Sequence, residues 1–201
     1  ERKQKFGNEI GKAYEEIGFV ALKGHFLDDK LVDELYGEVK NFFDLPVETK
    51  QKYEIPGICG QRGYVGFGKE TAKGFKKGDL KEFWHFGQYL EEGSKYASVY
   101  PDNVEVTEVP RFNEVGKEAF KMLEKTGVYV LRALALHLGL DEFYFDKFVS
   151  EGNSILRPIH YPPITEEPDN AVRAAAHGDI NLITLLMGAQ GKGLQVMNHD
   201  G

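Results

Sequence analysis

The chain has 201 residues, enough for one good core, and with 41% hydrophobic and 28% charged residues it has the composition of an ordinary soluble globular protein. A formal net charge of −7 gives no support to nucleic-acid binding, and no apolar run is long enough to span a bilayer. The single cysteine, Cys59, excludes an intrachain disulfide and makes a reducing, cytoplasmic setting the simpler expectation.

The spacing of Phe6, Ile10, Ala13, Tyr14 and Ile17 predicts a helix over residues 2–17. GFVALKG (18–24) reads as a short strand between glycines. A second helix follows, with Asp28 or Asp29 as its cap, a stripe of Leu31, Leu35, Val39 and Phe42, and Pro46 as its stop. VETKQKY (47–53) adds one or two helical turns. Residues 55–78 are rich in Gly and aromatics and read as a loop, ordered by packing of Tyr64, Phe67 and Phe75; GFKKGDLK (74–81) reads as solvated. LKEFWHFGQYL (80–90) reads as a strand with Glu82, Trp84 and Phe86 on one face and Phe83, His85 and Gly87 on the other.

After a loop over 94–110, a long helix is predicted over 111–138, then a short one capped by Asp141. Beyond Ser150 four strands are expected: NSILRPIHYPP (153–163), VRAAAHGD (172–179), NLITLLMG (181–188) and GLQVMN (193–198). Helices first and strands second argue for an α+β fold, divided as a helix-rich region 1–150 and a strand-rich region 151–201 of one integrated domain. The chain opens on Glu1 in a charged run and closes on MNHDG, which resembles a hairpin turn without its second strand, so both ends are expected to be cut relative to the natural product.

One tripeptide carries chemistry: His177-Gly178-Asp179. In an extended segment, residues two apart point the same way, so an imidazole and a carboxylate can meet one ion. That donor pair suits a borderline divalent metal, and a facial triad of two His and one carboxylate is diagnostic of non-haem Fe(II) oxygenases. The bland alternative is a surface ion pair or strand-end turn. The apolar stretches AAA and NLITLL around the pair favour the metal, because a titratable pair held between buried strands is costly unless bound.

The sequence resembles the isopenicillin N synthase-like family of Fe(II)/2-oxoglutarate-dependent dioxygenases. The likeness rests on GFVALKGH with His25, FFDLPVETKQKY, GQRGYVGFG, LKEFWHFG, RPIHYPP and HGDINLITLL…GLQV, in the family's order across nearly the whole chain. It implies a distorted jelly roll, a double-stranded β-helix braced by N-terminal helices, with its C-terminal strands lacking in this chain; such a roll takes about eight strands. It implies Fe(II) on His177 and Asp179, 2-oxoglutarate as chelating cosubstrate, O₂, ascorbate as an accessory reductant, and hydroxylation, desaturation or cyclisation of a small organic substrate. Neither a membrane nor a nucleic acid is implied as partner, and the oligomeric state is left open. The family's distal His and its Arg-x-Ser, expected beyond Asp179, have no counterpart in this chain, and Ile159 stands where many members have Asn.

Tyr161 is the candidate hydroxyl donor to the cosubstrate's carboxylate. Substrate candidates are Arg62 and Tyr64 on the Gly-rich loop, His85 on the strand face favoured for the pocket, and Arg157, four before Tyr161. Packing competes as a reading of each. His199 fits a solvated turn, His160 should face away from Tyr161, His137 reads as a hydrogen-bonded core residue, and His25 as structural. Two alternatives stay open: an iron oxidase of the same fold that does not use 2-oxoglutarate, and a binding or sensing module with a degenerate metal site.

Overall fold

The computed structural model describes residues 1–71, 77–165, 171–188 and 193–197. Its elements run α1 (Arg2–Glu16), α2 (Asp29–Phe43), α3 (Val47–Gln51), β1 (Gly63–Val65), β2 (Glu82–Gly87), α4 (Phe112–His137), α5 (Asp146–Val149), β3 (Ile155–Leu156) and β4 (Ile159–His160). They form two compact units: residues 28–121 with 151–178, and residues 1–27 with 122–150 and 179–201. The first part of α4 belongs to the former and the rest to the latter.

The unit of residues 28–121 and 151–178 is built on β2. Asp28 caps α2 by accepting the Leu31 N–H at 2.8 Å, and α2 turns Leu31, Leu35, Phe42 and Phe43 inward, close to the predicted stripe. Phe42 stacks on Phe112 (ring centroids 4.9 Å apart) and meets Trp84 edge-on at 4.9 Å. Tyr53, Tyr64 and Phe86 complete this aromatic core. Offset and edge-on contacts of this kind add to the area that large rings bury.

Every residue of β2 is buried. β1 pairs antiparallel on one side, Tyr64 opposite Trp84. Residues 55–78 are thus not wholly loop: Tyr64 extends the core and carries a strand with it, whereas Phe67 lies half exposed, and Phe75 falls outside the described residues. On the other side of β2 lie β3 and β4, in one unbroken register: Phe86 opposite Leu156, Phe83 opposite Ile159. The predicted strand over 153–163 is therefore present in two pieces. Pro158 divides it because it has no N–H to give the ladder, although its carbonyl still accepts from Trp84 N at 3.0 Å. This register sets Arg157 opposite His85.

The other unit holds α1, the end of α4, α5 and residues 179–197. Ile10, Val130 and Ala133 form its buried cluster, with Val20, Leu22, Ile183 and Leu185 packed on it. The inward face of α1 is Gly7, Ile10 and Gly11, while Phe6 and Ile17 are exposed. A Cβ on Gly7 would lie 2.7 Å from Ala133 O, and one on Gly11 would lie 2.1 Å from the His137 ring, so the absence of side chains lets α1 approach α4. His137 is held by Glu15, Nε2 to Oε1 at 3.1 Å, in agreement with the hydrogen-bonded core reading.

Other expectations fail. Residues 18–24 form no strand; Val20 and Leu22 pack by side chain without a ladder partner. Asp141 accepts the Phe143 N–H at 2.9 Å, capping a turn ahead of α5 rather than the helix itself. The described parts of 172–198 contain no strand. Their apolar side chains include Ile180, Leu182, Leu186, Leu194 and Met197, all exposed, and no described backbone supplies a ladder for them.

Candidate functional site

The two faces of β2 carry two different buried polar systems. On the aromatic side, Glu82 receives Lys50 Nζ at 2.8 and 2.9 Å, the Tyr64 hydroxyl, and His160 Nδ1 at 2.7 Å. Burial would raise the Glu82 pKa, but these donors outweigh it and hold the carboxyl below its ordinary value. Burial and the bond to Glu82 push the Tyr64 phenol upward. His160 stacks on Phe43 at 5.2 Å, on the side away from Arg157, as alternation requires.

The opposite face carries Phe83 and His85. Arg157 Nε donates to His85 Nε2 at 2.6 Å, and the guanidinium lies 4.5 Å from the Phe83 ring centre. With Nε2 accepting, His85 Nδ1 is the donor to Gly60 O, at 2.6 Å. Burial, then the Arg157 charge, lowers the His85 pKa from 6.5 to about 4, so the ring is neutral. Arg157 Nη1 reaches Glu70 at 3.2 Å, and Glu70 also takes Lys81 Nζ at 2.7 Å. Lys81 Nζ meets Asp79 Oδ2 at 2.8 Å. Burial works against the Lys81 charge, but Asp79 and Glu70 outweigh it and hold its pKa high. Asp79 and Lys81 are 3% and 5% exposed, so the solvated reading of residues 74–81 fails at these positions. The run of charges misled because Lys81 and Asp79 stand at the entry to a strand buried on both faces, and a buried ion pair looks like a surface one in sequence.

This polar system reaches the segment of the candidate ligand His177. Asp79 Oδ1 accepts the Ala175 N–H at 3.4 Å, and Leu80 N donates to Val172 O at 2.8 Å. Ala175 is buried, and its carbonyl accepts from His177 Nδ1 at 2.7 Å. A proton on Nδ1 leaves the lone pair on Nε2, the tautomer a metal ligand needs. The Asp179 carboxylate accepts from the Thr184 hydroxyl, which also receives Asn181 Nδ2 at 3.1 Å. Both His177 and Asp179 are exposed, so the burial argument made from sequence does not apply to them. Among the described residues no three His, Cys, Asp or Glu side chains come together as a metal cluster. The donor chemistry of the pair, an oriented imidazole nitrogen and a hard carboxylate oxygen, still fits a borderline divalent ion.

The family described as non-haem dioxygenase in morphine synthesis, N-terminal, matches residues 1–108. The chain belongs to the non-haem dioxygenase family. The 2-oxoglutarate-dependent dioxygenase frbA of Dothideomycetidae sp. (strain 11243) is 30% identical over 210 residues, covering 97% of this chain and 60% of that protein. A crystal structure of a 2OG-Fe(II) oxygenase family protein from Caulobacter crescentus matches with a TM-score of 0.78 at 42% identity, over 89% of this chain and 57% of the other. A Neurospora crassa protein solved in complex with alpha-KG matches with a TM-score of 0.64 at 28% identity, over 80% of this chain and 46% of the other. The chain thus spans about three fifths of the length of the first curated relatives it matches.

The remaining candidates fall as follows. Arg62 is wholly buried, its guanidinium donating to Gln61 O at 2.7 Å and Asn153 Oδ1 at 3.1 Å, and it packs on Gly87, where a Cβ would lie 1.8 Å from it. Tyr64 is buried in the Glu82 system and borders a cavity of about 300 Å³ with Lys50, Phe67 and Pro162. Tyr161 is half-buried, one residue past β4. His199 lies outside the described residues. A cavity of about 740 Å³ beside residues 88–105, bordered by Tyr89, Tyr100 and Glu105, contains none of the sequence-predicted residues. No helix among the described residues is long and apolar enough to cross a membrane.

Proposed function

We propose that this chain is part of an Fe(II)-dependent oxygenase that couples 2-oxoglutarate decarboxylation to oxidation of a small organic substrate. The observation that carries the reading is His177, whose Nδ1 donates to Ala175 O and so sets the tautomer with its ligating lone pair on Nε2, two residues from a carboxylate that accepts from Thr184. The names of the relatives and the alpha-KG complex of the Neurospora protein support the cosubstrate. His177 and Asp179 would hold the iron, which when bound supplies the oxidising chemistry at its open positions. Tyr161 would donate to the cosubstrate's carboxylate. The chain's own work is to orient these groups.

The architecture we propose is the double-stranded β-helix, supported by the antiparallel sheet around β2 and the likeness to the Caulobacter protein, with residues 1–150 and 151–201 as parts of one domain. We place the substrate on the His85 and Arg157 face. Tyr64, buried in the Glu82 system, supports that face from behind, and Arg62 is buried against Gly87 on the same face as His85. A reducing, cytoplasmic setting suits a chain with one cysteine.

The test is succinate release by the protein with Fe(II), ascorbate, O₂ and 2-oxoglutarate. His177→Ala and Asp179→Ala should each remove iron-dependent turnover. Turnover that survives either change contradicts the assignment, and oxidation of a substrate without 2-oxoglutarate consumption favours the oxidase reading instead.

A further inference from the structure

We infer that Asp79 and Lys81 position the His177 imidazole, acting through the backbone of Ala175; the metal half of this inference rests on the function proposed above. Asp79 divides its carboxylate between two tasks: Oδ2 takes Lys81 Nζ at 2.8 Å, and Oδ1 takes the Ala175 N–H at 3.4 Å. The next residue, Leu80, donates its N–H to Val172 O at 2.8 Å. The segment is therefore clamped at two points three residues apart. Ala175 is its junction, with its N–H held by Asp79 and its carbonyl holding His177 Nδ1 at 2.7 Å.

Burial supports the assignment. Ala175 is 5% exposed, and it is the one buried residue among the described residues of 171–188. Elsewhere that stretch is exposed or half exposed and has no ladder. What holds residues 172–175 is the 79–81 corner, not strand pairing. Lys81 is in turn fixed by Glu70 at 2.7 Å, Glu70 by Arg157 at 3.2 Å, and Arg157 by His85 at 2.6 Å. Orientation thus passes from the rigid β2 ladder to an exposed imidazole through groups held by charge-assisted bonds. Outer groups of this kind set the tautomer and direction of a ligating His, and their loss costs about 10- to 100-fold in metal affinity.

The first readout needs no metal. Nitrogen-detected NMR of the apoprotein reports which ring nitrogen of His177 carries the proton. The Nδ1–H tautomer is expected in the unaltered protein and in Asp79→Asn, which keeps an oxygen for the Ala175 N–H. A mixture of tautomers is expected in Asp79→Ala. The second readout is Co(II) affinity, followed by the ion's visible absorption, with a loss of about tenfold in Asp79→Ala and less than about threefold in Asp79→Asn. If Asp79→Ala does not fold, Asp79→Ser replaces it, its side chain being too short to reach Ala175 N. An unchanged His177 tautomer together with unchanged Co(II) affinity in the folded variant overturns the proposal. Failure of the iron reading looks different: Co(II) affinity is then insensitive to His177→Ala itself, while the tautomer still responds to Asp79.

Discussion

Arg157 stands opposite His85 across the β2 ladder and donates Nε to His85 Nε2 at 2.6 Å, which fixes a buried imidazole in its neutral form. A cation beside a ring that cannot take a proton makes acid a direct threat to this face of the sheet.

The direction follows from linkage. The His85 pKa is lowered from 6.5 to about 4 in the fold, so the unfolded chain takes up a proton that the folded one refuses. The stabilising contribution is complete above about pH 6.5 and is lost as pH falls toward 4. Between pH 7 and 5 the loss should be about 2 kcal/mol. His85→Gln, which can still accept from Arg157, should flatten that slope, as read by urea unfolding at the two pH values. An unchanged slope would show that another group titrates.

The Lys50–Glu82 pair should behave as a buried ion pair whose rupture is costly. Both side chains are about 5% exposed, and Glu82 joins α3, β1 and β4. Lys50→Met should destabilise by about 3 kcal/mol or more, because it takes the buried lysine partner from a buried carboxylate. The double variant Lys50→Met, Glu82→Gln should cost less than the sum of the single changes, since it removes both charges. Additive costs in a double-mutant cycle would contradict the coupling.

Gly87→Ala tests the seating of Arg62. The added Cβ would fall 1.8 Å from the guanidinium, which has no exposed surface into which to retreat. A loss of about 1–3 kcal/mol is expected from overpacking. Arg62→Ala in the same background should recover part of it, measured by thermal unfolding. No recovery would place the strain elsewhere.

How much of this was legible in the sequence varies by residue. The helices were, because Leu31, Leu35 and Phe42 repeat at helical spacing and Asp28 is a good cap. The alternation of β2 was too, and it separated Trp84 from His85 correctly. The inward face of α1 was not, because glycines count as nothing in an apolar stripe although Gly7 and Gly11 make the closest contacts. β1 was hidden by the glycines around it, whereas the strand over 153–163 was read straight through Pro158, which divides it into β3 and β4 without breaking the register. The strands expected over 172–198 were read from β-rich runs between turn residues, and a local run cannot supply a ladder partner. For the site, the His177–Asp179 spacing was visible, whereas Asp79, Lys81 and Glu70 were not. Their signal is tertiary: three charges that look solvated in a line of text converge on one buried corner.

The most direct measurement is the visible charge-transfer absorption of Fe(II) chelated by 2-oxoglutarate, recorded without oxygen on the protein and on His177→Ala and Asp179→Ala. Absorption that saturates with 2-oxoglutarate in the unaltered protein and is absent from both variants is expected. Absorption that persists in either variant would contradict the assignment of His177 and Asp179 as the iron ligands.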